Sequence, residues 1–101
     1  MINMDVDTKN RFSVMFDVKQ VVMGKNQLRW TVTCDVYAQP ETDRPLKFVT
    51  RGVSILNPLD RFNEKVGMHK SLASALEPMV WLTADQRRTM HETVDGWTQS
   101  R

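Results

Sequence analysis

Apolar residues alternate with polar ones over two long stretches in the first half of the chain. They fall on even-numbered positions from residue 12 to 18, and they do so again from residue 27 to 38. A period of two is typical of a β-strand that buries one face. The short segment between the stretches, Met-Gly-Lys-Asn at residues 23–26, is rich in turn-forming residues. The pattern therefore predicts a β-hairpin.

The parity of the apolar positions also predicts the register of this hairpin. Directly opposed residues of an antiparallel pair share a face, so even-numbered residues must pair with even-numbered ones. A register in which paired numbers sum to 50 places Val22 opposite Leu28 and leaves residues 24–26 as the loop. Asn26 would then take the left-handed conformation that such a loop needs. One face of the hairpin would be apolar and buried, and the other would be polar and exposed.

A third strand is predicted after the proline- and charge-rich loop at residues 38–45. Its apolar residues fall on even numbers at its start, Leu46 and Phe48, and on odd numbers at its end, Val53 and Ile55. This change of phase predicts a β-bulge, which we place at Gly52, and the alternative is two short strands.

Helical signals begin at residue 57. Asn57 is a suitable N-cap and Pro58 suits the first helical position, so we expect a helix over residues 58–77. Gly67 lies in its middle, where glycine costs about 0.8 to 1 kcal/mol relative to alanine. Either Gly67 kinks the helix or separates two short helices, or it belongs to a solvent-facing strip of small residues that another backbone could approach. That strip consists of Asn63, Gly67, Ser71 and Ser74. The opposite, sheet-facing side would be formed by Phe62, Val66, His69, Leu72, Ala73 and Leu76, and it would be widened by Met68, Ala75 and Met79.

A second helix is predicted to follow the first. Thr83 and Gln86 have the spacing of a capping box, and Gly96 is placed to end the helix. The predicted fold is an α+β domain, in which a three-stranded antiparallel sheet, a β-hairpin plus a third strand, is covered on one face by two C-terminal helices. We expect residues 1–101 to form this single domain, with residues 1–10 as a flexible tail.

Composition narrows the class of protein. Hydrophobic residues make up 41% of the chain and charged residues 26%, as in ordinary globular domains. The single cysteine, Cys34, cannot form an internal disulfide, which favours a reducing compartment. We find no apolar run of signal-peptide or membrane-spanning length. The expected location is therefore the cytoplasm, without membrane contact.

We find little sign of catalytic or metal chemistry in the residue pattern. His69 and His91 lie far apart in the sequence without further ligands at the spacing of a zinc site, and neither a phosphate loop nor a nucleophile motif occurs. We expect His69 to be a core histidine and His91 to lie on a solvated surface. The sequence predicts no catalytic residues, no metal ligands and no cofactor.

The segment of residues 53–92 resembles a pattern found in small accessory proteins of tailed bacteriophages. The residues that carry the resemblance are Asp60, Phe62, Gly67, Leu72, Ala75 and Leu76, followed by a short second helix with Arg87. The resemblance implies a phage-encoded chain in the host cytoplasm, and such proteins usually have no assigned activity.

Two functions from different classes follow. The first is a non-catalytic interaction protein that binds and modulates a host or phage protein, for example in host takeover or anti-defence. The second is a single-stranded nucleic-acid-binding module, because residues 9–51 carry eight basic and four acidic side chains. Both would use the polar face of the sheet, and its exposed edge also makes a homodimer a candidate assembly. The residues predicted to bind the partner are Lys19, Arg29, Thr31, Thr33, Tyr37, Lys47 and Arg51.

Overall fold

A computed structural model describes residues 2–6, 11–25, 27–39, 45–56, 61 and 63–99. These residues form an α+β fold in which an antiparallel sheet, with strand order β1-β2-β3-β4, is followed by two helices. The strands are β1 (Ile2–Asp5), β2 (Arg11–Met23), β3 (Gln27–Ala38) and β4 (Lys47–Ile55). The helices are α1 (Glu64–Leu76) and α2 (Ala84–Gln99).

Within the described residues the sheet has four strands. The sequence analysis predicted three, because it did not recognise β1. Residues Ile2–Asp5, which were expected to belong to a flexible tail, pair with the start of β2. Ile2 and Met4 are buried in the core, whereas Asn3 and Asp5 are exposed. The alternation continues to Val6, which packs against the core, but three apolar residues over five positions are a short signal, and the sequence analysis did not use it.

The hairpin of β2 and β3 has the predicted register. Val22 lies opposite Leu28 and the pairs continue to Phe12 opposite Ala38, so paired numbers sum to 50 throughout. The left-handed conformation in the loop is observed at Gly24, whose φ is 58°. Asn26, which was expected to take it, lies outside the described residues.

Strand β4 presents the opposite face to the one expected from its apolar residues. Val36 pairs with Thr50 whereas Tyr37 pairs with Phe48, so the bulge lies at Val49 and not at Gly52. Downstream of the bulge, the side facing the helices carries Thr50, Gly52 and Ser54. The larger apolar residues of β4 point away from the helices.

Helix α1 begins later than expected. Asn63 is its N-cap, and the Asn63 side chain accepts a hydrogen bond from the backbone N–H of Val66 at 3.2 Å. The predicted cap and first position, Asn57 and Pro58, lie outside the described residues. Gly67 therefore lies in the first turn of α1 and not in the middle of a longer helix.

Helix α1 packs very closely on the sheet through small residues. A Cβ atom added at Gly52 would lie 2.1 Å from the carbonyl oxygen of Ser71 and 2.3 Å from the backbone nitrogen of Ala75. A Cβ atom added at Gly67 would lie 2.6 Å from Cγ2 of Val32 in β3. Glycine at both positions allows this approach, because any side chain would have to displace the neighbouring atoms.

The expected solvent-facing strip of small residues is therefore wrong at two of its four positions. Ser71 is fully buried and donates a hydrogen bond to the carbonyl oxygen of Met68 at 3.0 Å, and Gly67 faces the sheet. Asn63 and Ser74 are exposed, as expected. The helix is rotated relative to the predicted wheel, since Val66 and Ala73 are exposed. The residues of α1 that are buried are Met68, Ser71, Leu72, Ala75 and Leu76.

Helix α2 starts as predicted and ends later than predicted. The N–H of Thr83 donates to Oε1 of Gln86 at 2.9 Å, and the N–H of Gln86 donates to Oγ1 of Thr83 at 3.1 Å, which completes the capping box. Gly96 does not end the helix, which continues to Gln99. Met90 and Val94 are buried in the core against β1 and α1. Neither helix of the described chain has the length and apolar character that a bilayer crossing would need.

Candidate functional site

The candidate site is the outer face of the sheet, by which we mean the side of β2, β3 and β4 that points away from both helices. Because opposed residues share a face, the pairing places six of the seven predicted partner-binding residues there. They are Lys19, Arg29, Thr31, Thr33, Tyr37 and Arg51. Lys47 is the exception, since it pairs with the helix-facing residue Ala38 at the end of β4.

One end of the outer face carries an aromatic pair under an arginine. The rings of Tyr37 and Phe48 are 5.7 Å apart in an edge-to-face arrangement, and the guanidinium carbon of Arg51 lies 6.0 Å from the centre of the Phe48 ring. The bulge at Val49 makes this possible, because it places Phe48 opposite Tyr37 on the outer face. Phe48 was not among the predicted site residues.

Arg51 is held in place by a carboxylate from the neighbouring strand. Its Nε donates to Oδ1 of Asp35 at 2.5 Å and its Nη2 donates to Oδ2 at 3.1 Å, a bidentate pair. This hydrogen bond, together with the negative charge of Asp35, raises the pKa of Arg51. Asp35 is buried at its position opposite Met15. The positive charge of the Arg51 guanidinium therefore offsets the cost of removing the Asp35 carboxylate from water.

The outer face is more apolar than the hydroxyl-rich surface expected from the sequence. Four large apolar side chains on it are substantially exposed: Met15 (40%), Phe48 (51%), Val53 (47%) and Ile55 (46%). Three of them lie on β4, which is an edge strand of the sheet. We refer to Tyr37, Phe48, Arg51, Val53 and Ile55 as the outer cluster.

The threonines of the outer face contribute less exposed polar surface than expected. Thr31 is buried, and its hydroxyl donates to the carbonyl oxygen of Lys19 at 3.1 Å. Thr33 is half-buried between Asp17 and Val53. The basic residue Lys19 is exposed and lies 3.9 Å from the carboxylate of Asp17.

Cys34 lies on the helix-facing side of β3 and is buried. Burial, with a smaller contribution from the charge of Asp35, raises the pKa of its thiol to about 12. The thiolate form that a nucleophile or metal ligand needs is therefore strongly disfavoured at neutral pH.

The histidines are arranged differently from the sequence-based expectation. His69 is not a core residue and His91 is not simply solvated, because their side chains meet between α1 and α2 with Asp95 beside them. Within the described part of the chain, no group of three or more histidine, cysteine, aspartate or glutamate residues is placed to hold a metal ion.

Comparisons with family models, with curated proteins and with solved structures gave no match to this chain. The resemblance to phage accessory proteins therefore stays a prediction from the sequence.

Sequence reasoning missed the apolar members of the outer cluster, namely Phe48, Val53 and Ile55. The signal that could have found them is the change of phase in β4, which shows that its apolar residues cannot all share one face without a bulge. Placing the bulge three residues earlier, at Val49, reverses the assignment of Val53 and Ile55 from buried to exposed.

Proposed function

We propose that this chain is a non-catalytic interaction protein that binds and modulates another protein through the outer cluster. The observation that carries the proposal is the exposure of Phe48, Val53 and Ile55 beside Tyr37 and Arg51 on one face of the sheet. Exposed apolar side chains that adjoin each other are typical of protein-binding surfaces. Tyrosine and arginine are also the residue types that most often dominate the energy of such interfaces.

The position of the outer cluster suits a protein partner in a second respect. Arg51 is fixed by Asp35 before any partner binds, which reduces the side-chain entropy lost on association. Val53 and Ile55 lie on an edge strand, so a partner can contact the side chains and the free side of the β4 backbone together. The partner class that fits is a protein with an apolar patch.

The origin and the identity of the partner form the remaining part of the proposal. The resemblance over residues 53–92 supports a phage-encoded chain that acts on a host or phage protein. A lack of catalytic function is supported by the buried thiol of Cys34 and by the mutual contact of His69 and His91.

The experiment that tests the proposal compares two charge substitutions at apolar residues that are each about half exposed and lie on opposite faces. Val53→Asp changes the outer cluster, whereas Leu28→Asp changes a residue that is 58% exposed on the helix-facing side of the hairpin. Each protein would be used to capture partners from a bacterial lysate, and the captured protein would then be purified and its Kd measured by calorimetry. We expect Val53→Asp to weaken binding by about tenfold or more, the effect of a hot-spot residue, and Leu28→Asp to bind as the wild type does.

Equal loss with both substitutions, or no loss with Val53→Asp, would contradict a partner site at the outer cluster. Sedimentation of the wild-type chain in the same buffer separates a second copy from a different protein as the partner. If the chain itself forms a dimer that Val53→Asp dissociates, the partner is a second copy.

Single-stranded nucleic acid is the second candidate partner, and the edge-to-face pair of Tyr37 and Phe48 favours it. Two outward aromatic rings provide more stacking surface than the single tyrosine expected from the sequence. Against it, Asp17 and Asp35 lie beside Lys19 and Arg51 and reduce the positive charge available to phosphates. Fluorescence anisotropy with a labelled single-stranded oligonucleotide at low and moderate salt decides between the two. Binding that weakens steeply with salt would support this candidate, and no binding at low salt would exclude it.

A further inference from the structure

The strongest feature outside the outer face is a chain of polar contacts that joins α1 to α2. His69 in α1 makes both of its contacts with α2: its Nε2 lies 2.7 Å from Oδ1 of Asp95 and its Nδ1 lies 2.8 Å from Nδ1 of His91. Lys65, one turn before His69, lies 3.2 Å from the same carboxylate oxygen. Both helices therefore contribute residues that are four apart, which place their side chains on a common face.

The two imidazole rings face each other through their Nδ1 atoms. Their centres are 5.0 Å apart, while the Nδ1 atoms are 2.8 Å apart, and the ring planes differ by 22°. The difference between these distances corresponds to the two ring radii, so both Nδ1 atoms lie nearly on the line between the ring centres. This is the arrangement of an N–H···N hydrogen bond, in which one Nδ1 donates and the other accepts.

The number of protons on the pair follows from this geometry. A carboxylate can only accept, so Nε2 of His69 must carry a proton to reach Asp95. When both rings are neutral, Nδ1 of His69 is bare and accepts from Nδ1–H of His91. When one further proton binds, Nδ1–H of His69 can donate to a neutral His91. When a second proton is added, both Nδ1 atoms carry a hydrogen. Two N–H groups cannot face each other at 2.8 Å, so the contact must break.

We propose that His69, His91 and Asp95 form a pH-sensitive latch between α1 and α2. The latch is closed when the histidine pair carries no more than one positive charge, and a second positive charge opens it. Two imidazoles are too few ligands for a structural zinc ion, so a proton is the ligand that the pair is built to share. The charge on the pair, and not a bound ion, controls the contact.

The surroundings oppose the second charge. Lys65 of α1 contacts Asp95 at 3.2 Å, and Arg88, three residues before His91 in α2, contacts Asp85 at 2.7 Å and Glu92 at 3.8 Å. Arg87, four residues before His91, donates to the carbonyl oxygens of Met79 and Leu82. The helix-facing residues of β1, the third element in contact with α2, are Ile2 and Met4, which are uncharged. Asp95 is therefore the carboxylate that neutralises charge at the pair, and His69 and Lys65 already contact it. Their hydrogen bonds lower the pKa of Asp95, so it stays ionised when the latch opens.

The direction of the pH effect follows from His91. Burial, and then the adjacent His69, lowers the pKa of His91, although the charge of Asp95 acts in the opposite direction. A group with a lowered pKa binds protons more readily in the unfolded state, so folding stability falls as pH falls below the ordinary histidine pKa of about 6.5. Asp95 contributes in a separate window, because its stabilising effect is lost only at pH values below the ordinary aspartate range.

Opening of the latch would loosen α2 from the domain. This helix contacts only α1 and β1 extensively within the described residues, and it buries Met90 and Val94 there. The consequence is exposure of apolar core surface at mildly acidic pH, while the sheet and its outer cluster keep their structure.

The test uses the full chain, which contains only these two histidines. The imidazole C–H signals would be followed by NMR from pH 7.5 to 5.0, together with amide hydrogen exchange in α2 and urea unfolding at each pH. We expect the second proton to bind at a lower pH than the first, and the protection factors of the α2 amides, which correct for the pH dependence of intrinsic exchange, to fall with the second proton. The unfolding equilibrium constant should rise on the order of tenfold over this range, the scale of coupling between groups in direct contact.

His91→Gln provides the matched control, because an amide can hydrogen-bond to His69 without titrating. The loss of protection and the increase in unfolding should be absent in this variant, while its stability at pH 7.5 stays close to that of the wild type. Independent titration of the two histidines with unchanged protection of α2, or the same pH dependence in His91→Gln, would overturn the proposal. The wild-type titration decides the question even if the variant folds poorly.

Discussion

Gly52→Ala is the substitution that tests the packing of α1 on β4 most directly. The added methyl group would lie 2.1 Å from the carbonyl oxygen of Ser71, 2.3 Å from the nitrogen of Ala75 and 2.9 Å from its Cα. All three are backbone atoms, so no side-chain rotation relieves the overlap. Restoring an ordinary contact of 3.4 Å to the oxygen requires a shift of about 1.3 Å between helix and strand.

The expected cost follows from what this shift disturbs. Leu72 and Ala75 of α1 are fully buried, and the hydroxyl of Thr50 donates to the carbonyl oxygen of Ala75 at 2.9 Å. Overpacking of a core costs about 1 to 3 kcal/mol and sometimes more, and the smaller entropy of the unfolded alanine chain offsets only about 0.4 to 1 kcal/mol. Because the clash is with backbone, we expect the upper part of this range, about 3 kcal/mol. That is a large part of the roughly 5 to 15 kcal/mol that stabilises a domain.

Urea unfolding, followed by tryptophan fluorescence, measures this cost against a matched control. At Gly96, on the exposed side of α2, an added Cβ meets no atom within 4 Å. Gly96→Ala should therefore stabilise the protein, by about 0.5 to 1 kcal/mol, through helix propensity alone. Gly67→Ala should fall between the two, because its clash is with the side chain of Val32. If Gly52→Ala is as stable as the wild type, α1 does not lie against β4 at this point.

Three further substitutions or measurements test other parts of the fold. Met4→Ala should destabilise the protein by about 2 to 5 kcal/mol in urea unfolding because Met4 is buried. Met15→Ala, at an exposed position, should change the free energy of unfolding little. Equal effects would contradict the assignment of β1 to the core. Thr83→Ala should cost about 1 kcal/mol in thermal or urea unfolding because it removes the cap that Thr83 shares with Gln86, and an unchanged midpoint would argue against the capping box. Cys34 should resist thiol reagents in the native protein at pH 7 to 8 and react rapidly in urea, because burial raises the pKa of its thiol to about 12. Rapid labelling of the native protein, measured by mass spectrometry, would show that the thiol is accessible.

The hairpin could be predicted in detail because its information is local. Alternating residues on both strands specify which side of each is buried, and only one parity of register keeps the two apolar faces together. The pairing of Val22 with Leu28 and of Val14 with Val36 follows from these patterns and is the pairing observed. The capping box of Thr83 and Gln86 is local in the same sense.

The face of β4 could not be predicted in this way because it depends on contact with another element. Apolar pattern alone places Val53 and Ile55 in the core, yet the helix-facing positions are Thr50, Gly52 and Ser54. The backbone of α1 comes so close there that only small side chains fit. Sequence analysis interpreted Gly52 only as a bulge and assigned the small residues of α1 to solvent, because it treated the helix and the strand separately.

The same close packing separates the residues of β4 that determine stability from those of the proposed binding surface. Its inner side is determined by the approach of α1, so a change at Gly52 must disturb the fold. Its outer side carries Phe48, Val53 and Ile55, which are about half exposed and contribute less buried area to the domain. An edge strand with exposed apolar side chains is a liability for an isolated domain, because it invites association. Burial of this surface by a partner removes that liability, and substitutions on the outer side should therefore affect association more than folding.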